Sequence, residues 1–469
     1  MTVADRPSRT SPPPGALRAR RVAVAELDPV ALFGAARAAG LEAVIWLQPS
    51  RGVALVGVGA AWSVEPAGPE RFAVAADRWR ELASSLLVGD PDARPRLVGG
   101  LGFSGRRPPA GDPWEPFGAA RLVLPELLWA RDGAGIVATS VGPAAAADGL
   151  PGRLRDMVVA AGAGSAGGAV EPAARGRIPV AEPPRLRTVA RLPERSAWER
   201  LVAMYAGAVG RGRLDKVVLA RRMDLAAEDG VTIPVEGALR TLAASAPEST
   251  VYGFARGGSD GPVFIGATPE RLVRTDGRRF ETVAIAGSAP RSADPAEDAR
   301  LAAALLASEK DREEHAVVVA MLRESLAPLV EELRVGREPA LLELRTIRHL
   351  MTPVAGTLAA EAGLLGLAER LHPTPAVGGE PRDLALELIR EHEGFERGWY
   401  AGPVGWVGAD GDGELAVALR CAIVAGARAT LFAGCGIVAD SDPGREWDES
   451  ETKLRVVAAA LGRLEEPAG

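Results

Sequence analysis

The stretch from residue 398 to 438 restricts the fold more than any other part of this 469-residue chain. Three apolar runs follow one another there, separated only by GADGDG and AGAR. Connections this short cannot carry a parallel crossover, which takes about a dozen residues or more, so strands joined this way run antiparallel. The pattern recurs upstream. Arg271 to Thr275, an Asp276-Gly277 turn and Arg278 to Ala286 read as a hairpin. From about 21 to 145, Val44 to Leu47, Val53 to Val56, Arg96 to Phe103 and Arg121 to Ala130, closed by Asp132-Gly133, make a strand-rich section.

Helical segments stand apart from these strands. Ser196 and Glu199 have capping-box spacing ahead of an apolar stripe at Leu201, Val202, Tyr205 and Val209, which predicts a helix starting at Ser196. A strand at Lys216 to Ala220 follows. Residues 296 to 334 read as helical, and a last helix is predicted from about 445 to 461. Hairpin-linked strands beside separate long helices predict an α+β protein with largely antiparallel sheets.

Residues 1 to 20 are predicted to be a disordered tail on composition. Residues 21 to 190 form an N-terminal half ending in an Ala/Gly/Pro-rich connection (161 to 186), and residues 191 to 465 form a C-terminal half. The start of the chain lacks the apolar core of a secretory signal. No apolar run reaches the roughly 18 residues that span a bilayer. The only cysteines are Cys421 and Cys435, too few for a disulfide framework. A cytoplasmic location is expected. The net charge of −6 gives no reason to expect a nucleic acid or a membrane surface as partner, but leaves room for a small anionic substrate at a locally positive site.

Of the 55 basic residues only Lys216, Lys310 and Lys453 are lysines. Where Arg serves as the general cation, a retained Lys marks a position that needs a compact ammonium or one able to lose its proton. One glycine pattern is a decoy: Gly100, Gly102 and Gly105 fit G-x-G-x-x-G, but RRPPAGDP follows, and prolines there exclude the phosphate-binding helix start.

Two acidic pairs stand out. Asp311 and Glu314 in SEKDREEH, and Glu446 and Glu449 in REWDESETKL, are spaced i, i+3 on one helix face, with Lys453 a turn beyond Glu449. Taken singly, each pair reads as a solvated face. Facing each other, they would make a hard oxygen site of the kind Mg²⁺ uses. Lys216 opens an apolar strand, where desolvation would free its amine to act as a base. Glu270, after Pro269 at a strand end, is a candidate proton donor. Arg420 is predicted inside an apolar strand, where an unpaired guanidinium is costly and a carboxylate ligand would explain it. Gly434 and Gly436 in AGCGI would let a ligand approach the backbone. His315, His349 and His372 fall in these segments without the spacing of a zinc site.

KVVLARR, GATPERL, AIAGSAPR, SEKDREEH, TIRHL, LHPTPAVGG, YAGPVGW, ALRCA, FAGCGIV and REWDESETKL occur in the order seen in chorismate-utilising enzymes, and the chain resembles that family, densely from about 191 to 460. The resemblance implies a large two-sheet antiparallel α/β sandwich with helices outside. It implies that Lys216 activates water for attack at C2 of the chorismate ring and that Glu270 protonates the departing C4 hydroxyl. Glu314 and Glu449 would bind Mg²⁺ directly, supported by Asp311 and Glu446. Gly287, Ser288, His349, Ala376, Tyr400, Arg420, Gly434, Cys435, Gly436 and Lys453 correspond to the substrate-binding set.

Ala286 stands where aminodeoxychorismate synthases carry lysine, and Ala376 where anthranilate and salicylate synthases carry threonine. The HPTPA form is similar to isochorismate synthases, which implies an isomerase feeding siderophore or menaquinone biosynthesis. A salicylate synthase or a non-catalytic chorismate-binding relative are the alternatives. No glutamine amidotransferase subunit is expected. Cys435 departs from the alanine of AGAGI, and substrate affinity would suffer if it crowded the loop; Glu380 has no reading.

Overall fold

The computed structural model describes residues 9–10, 17–24, 26–143, 152–163, 183–343 and 347–465. Two large sheets dominate. One runs, strand beside strand, through Arg9–Thr10, Trp62–Glu65, Ala120–Leu124, Arg96–Leu101, Pro403–Gly408, Gly413–Val417, Arg271–Asp276, Arg279–Pro290, Ile347–Leu358 and Val330–Val335, with Ala340–Glu343 also on Ile347–Leu358. The other passes from Arg463–Leu464 through Arg185–Leu192, Lys216–Ala227, Arg428–Ile437, Cys421–Ala425, Val263–Thr268 and Thr250–Ala255. It continues through Ala43–Gln48, Val53–Val58, Leu127–Asp132, Gly135–Pro143, Leu17–Val22 and Leu87–Val88, and Gly379–Glu380 pairs with Lys216–Ala227. Among the described residues every pairing is antiparallel except two short ones, at Arg185–Leu192 with Arg463–Leu464 and Leu17–Val22 with Leu87–Val88. The predicted α+β, largely antiparallel class is the observed one.

Strands from both sequence halves enter both sheets. Arg96–Leu101 pairs with Pro403–Gly408, and Ala43–Gln48 with Thr250–Ala255. The halves are therefore joined by two continuous hydrogen-bond ladders. Apolar faces meet between the sheets, where Trp114, Phe117, Phe264 and Trp399 pack edge to face with ring centroids 4.9 to 6.3 Å apart. Helices cover the outer faces: Pro29–Ala38 and Val235–Ser245 lie on the second sheet, and Arg71–Ser85 packs on Leu364–Leu371 beside the first.

Several expectations change in detail. Residues 17–20, assigned to the tail, begin a strand that buries Leu17 and Ala19; the rest of the tail is described only at Arg9–Thr10. Most of the 161–186 connection lies outside the described residues. The helix predicted at Ser196 spans Arg195–Gly210 with Glu194 at its N-cap, so Ser196 is inside the first turn and no capping box forms; Arg195 instead pairs with Glu199 at 2.8 Å. The 296–334 segment is two helices, Pro295–Ala307 and Glu309–Leu326. Ser308 ends the first and caps the second by accepting from the Asp311 amide, and Val330–Val335 is a strand, where β-branched residues meet the edge of a sheet. The decoy glycines behave as read: Arg96–Leu101 ends and a loop follows. Among the described residues no helix is long and apolar enough to cross a membrane.

Candidate active site

Two apolar runs that look like single strands in sequence are each broken, and the break moves the chain from one sheet to the other. Arg121 to Ala130 splits around Pro125 into Ala120–Leu124 in the first sheet and Leu127–Asp132 in the second. The run after GADGDG splits at residues 418–420 into Gly413–Val417 in the first sheet and Cys421–Ala425 in the second. Arg420 sits in that break with φ +48°, not inside a strand. The GATPERL segment crosses in the same way, from Val263–Thr268 to Arg271–Asp276, with Glu270 between them.

These two crossings lie side by side. The Val417 amide donates to the Glu270 carbonyl at 3.0 Å, the Ala267 amide to the Arg420 carbonyl at 3.1 Å, and the Thr268 hydroxyl to the Val417 carbonyl at 2.6 Å. Both side chains line one cavity of about 410 Å³. Lys216, Gly287, His349, Ala376, Tyr400, Gly434, Gly436 and Lys453 line it too, as do all four carboxylates of the acidic pairs. Nearly every site residue expected from the sequence is brought to one place.

The elements explain how. Lys216 is the first residue of Lys216–Ala227, and its Nζ lies 4.0 Å from Glu314 Oε1. It is not sealed inside the strand as expected: its side chain is 26% exposed. Arg428–Ile437 runs antiparallel beside it, and the two-residue period of that strand turns Gly434 and Gly436 to the cavity. A Cβ at Gly436 would stand 2.5 Å from Lys216 Cε, and one at Gly434 would stand 2.8 Å from the Tyr400 hydroxyl. Neither position has room for a side chain. Cys435 alternates to the other side, is buried, and places Sγ 3.3 Å from the Glu446 carbonyl under helix Pro443–Leu461. It does not line the cavity, so the expected crowding of substrate does not arise.

Gly287 has φ +75° at a register shift in Arg279–Pro290, which brings its backbone against Asp311. The side chain of Ser288 lies outside the described atoms; its backbone pairs with His349. Tyr400 stacks on Phe432 with centroids 5.6 Å apart. Lys453 Nζ donates to Glu449 Oε1 at 2.7 Å and to the Gly434 carbonyl at 2.8 Å, tying the last helix to the glycine strand. Glu380, unread in sequence, pairs with Lys216 across the ladder, and the Asp215 amide donates to its carbonyl. The apolar liners Leu342, Phe432 and Val438 were missed, because nothing in their local sequence separates them from core residues.

Both acidic pairs occupy the opening turns of their helices, Glu309–Leu326 and Pro443–Leu461, where the positive end of the helix dipole favours carboxylates. Glu446, Glu449 and Cys435 Sγ have ligand atoms within 4.8 Å of one another. Burial pushes the Cys435 thiol far up, so it stays protonated and donates to the Glu446 carbonyl. Burial also raises the Glu446 carboxyl, against the Ser441 hydrogen bond and with Glu449 adding repulsion. The donors facing the cavity are thus carboxylate oxygens, which suit a hard divalent cation such as Mg²⁺ better than a soft one. No histidine joins the cluster among the described residues: His315 is buried against the Thr352 hydroxyl at 2.7 Å, and His372 lies in a different cavity.

Two groups have the state their proposed chemistry needs. Burial pushes the Glu270 carboxyl up to about 7, against the opposing pull of Lys216 and Arg420. A carboxyl poised there can hold a proton near neutrality and give it up. The Arg420 guanidinium, whose charged form burial disfavours, lines the cavity, and among the described residues it forms no ion pair. A ligand carboxylate would satisfy it.

Comparison with known proteins gives a consistent answer. Residues 13–462 match the family model described as chorismate binding enzyme. The salicylate biosynthesis isochorismate synthase of Pseudomonas aeruginosa is 39% identical over 94% of this chain and 90% of its own. An isochorismate synthase of Bacillus subtilis is 31% identical over 94% of this chain and 92% of its own. The solved menaquinone-specific isochorismate synthase of Escherichia coli superposes with a TM-score of 0.74, covering 96% of this chain and 95% of that one; at 24% identity the likeness speaks for the fold alone. The chain, with its cavity of paired carboxylates, lysines and a lone guanidinium set at the crossings between two antiparallel sheets, belongs to the chorismate-binding enzyme family.

Proposed function

We propose that this protein is an isochorismate synthase, converting chorismate to isochorismate by addition of water at C2 and loss of the C4 hydroxyl. The observation that carries the reading is the convergence of Lys216, Glu270 and Arg420 on one cavity in a chain so similar, end to end, to isochorismate synthases.

The reaction needs five things of the protein. Arg420 supplies a guanidinium for a substrate carboxylate. Lys216, at the cavity wall, takes a proton from the attacking water. Glu270, whose carboxyl is raised to about 7 and so still carries a proton in part at neutral pH, gives that proton to the C4 hydroxyl, which leaves as water. One water enters and one departs, so the product has the mass of the substrate. Tyr400, Gly434, Gly436, Gly287 and His349 line the pocket that would take the ring. Glu314 and Glu449 would hold Mg²⁺ directly, with Asp311 and Glu446 supporting it through water. When bound, the ion would supply positive charge for the ring carboxylate. A cytoplasmic location, with chorismate as a freely diffusing substrate for siderophore or menaquinone biosynthesis, belongs to the same reading.

The test is product analysis by liquid chromatography with mass detection after incubation with chorismate and Mg²⁺, beside a chelator control. A product of unchanged mass and new retention, lost on chelation, is the expected result. Salicylate with pyruvate would replace this reading with a salicylate synthase, and absence of turnover would replace it with a non-catalytic binding protein.

A further inference from the structure

A second cavity, also of about 410 Å³, lies behind the LHPTPAVGG segment, and its walls carry two arginines that form no ion pair among the described residues. Arg71, at the start of helix Arg71–Ser85, is 7% exposed. Its guanidinium donates only to backbone carbonyls: Gly102 at 3.0 and 3.2 Å, Phe103 at 3.1 Å and Gly68 at 3.4 Å. Arg382 likewise donates only to the carbonyls of Arg370 and His372. Among the described residues neither forms an ion pair, although Glu369 attracts Arg71, and Asp383, Glu369 and Glu380 attract Arg382 from beyond ion-pair distance. The other cations of the wall form ion pairs, Arg397 with Glu393, Arg106 with Glu396 at 3.4 Å and Arg390 with Glu387 at 3.9 Å. Arg71 and Arg382 also repel each other. Two neighbouring cations that no carboxylate contacts directly leave room at the cavity wall for an anion.

His372 sharpens the requirement. It is 2% exposed, and Nε2 lies 3.2 Å from the Phe103 carbonyl. A carbonyl only accepts, so Nε2 carries the hydrogen. Burial and the surrounding arginines keep the ring neutral, which leaves Nδ1 as an acceptor, and Nδ1 is buried without a partner. An unmet buried acceptor calls for a donor. Phe72 and Phe103 pack against this imidazole with centroids 5.9 and 5.8 Å away, and Leu386, Ile389 and Phe395 complete an apolar wall.

We infer that this second cavity is a binding site for a small cyclic or aromatic carboxylate that also bears a hydroxyl group: carboxylate to Arg71 and Arg382, hydroxyl to His372 Nδ1, ring against the Phe72 and Phe103 side. The site is distinct from the catalytic cavity, yet its partner. His372 and Arg382 bracket the residues that carry Ala376 and Val377 into the catalytic cavity, so one short segment forms a wall of each.

The test is calorimetric titration of the full chain with 4-hydroxybenzoate, with benzoate as the probe lacking the hydroxyl. Both probes could also enter the catalytic cavity, so the titrations are repeated on Arg382→Gln and on Arg420→Gln. The expected result is saturable binding of 4-hydroxybenzoate that weakens by about tenfold or more in Arg382→Gln and remains in Arg420→Gln, with benzoate weaker by several-fold. Circular dichroism confirms that the variants fold, and should Arg382→Gln not fold, His372→Phe takes its place and should remove the preference for 4-hydroxybenzoate over benzoate. Absence of saturable binding to the unaltered protein would overturn the inference, as would binding abolished by Arg420→Gln and untouched by Arg382→Gln or His372→Phe.

Discussion

Glu270 and Arg420 occupy neighbouring crossings between the two sheets, locked to each other's strands by the Val417–Glu270 and Ala267–Arg420 backbone hydrogen bonds. A crossing frees a residue from the sheet alternation, so both side chains can point into the same cavity although they are 150 positions apart in sequence. The acid and the guanidinium are therefore held by backbone, not by contact with each other, and each can be varied without collapsing the other.

The acid role proposed for Glu270 sets the expected pH response. Its raised carboxyl means that the proton-bearing form, needed to protonate a leaving hydroxyl, is lost as pH rises through about 7. The rate with saturating chorismate is expected to fall about tenfold per pH unit on the alkaline side of that midpoint. Glu270→Gln should abolish turnover at every pH. A profile flat from pH 6 to 9 would remove Glu270 from the acid role. Linkage has the same sign: a carboxyl raised above its unfolded value stabilises the protein at low pH and loses that contribution between about 4.5 and 7. Glu270→Gln should thus melt higher than the unaltered protein at pH 8, and by a smaller margin at pH 5.

Lys216→Arg keeps the charge beside Glu314 but replaces a compact amine with a guanidinium that does not give up its proton. Turnover should fall by roughly 10²- to 10⁴-fold with an unchanged melting temperature. Activity within a factor of two of normal would show that another group takes the proton.

Chelation should stop turnover, and added Mg²⁺ should restore it. Glu314→Gln and Glu449→Gln should each weaken Mg²⁺ binding, read by calorimetry in the presence of chorismate. Asp311→Asn should weaken it less, consistent with contact through water. Equal effects of all three would erase the distinction between direct and supporting carboxylates.

Cys435→Ala tests the geometry of the glycine strand. Because Sγ donates to the Glu446 carbonyl under the last helix and Cys435 does not line the cavity, KM for chorismate should stay within about twofold, and stability should drop by about 1 kcal/mol. A marked rise in KM would mean that the thiol reaches the substrate side after all.

What could be read from sequence followed local rules. Short turns between apolar runs determined antiparallel pairing; the i, i+3 carboxylates and the retained lysines marked helix faces and a strand start; and the order of motifs indicated the family. Three things were decided only by the tertiary structure. The runs through Pro125 and through Ala418 to Arg420 look continuous because hydrophobicity alone does not tell one buried strand from two in different sheets. The face on which Cys435 lies depends on register with Lys216–Ala227, and a shift of one residue would exchange it with its glycine neighbours. The meeting of two acidic helix starts around one cavity, and of Arg71 with Arg382 behind it, joins residues more than a hundred positions apart through sheet pairing and burial, which no local pattern records.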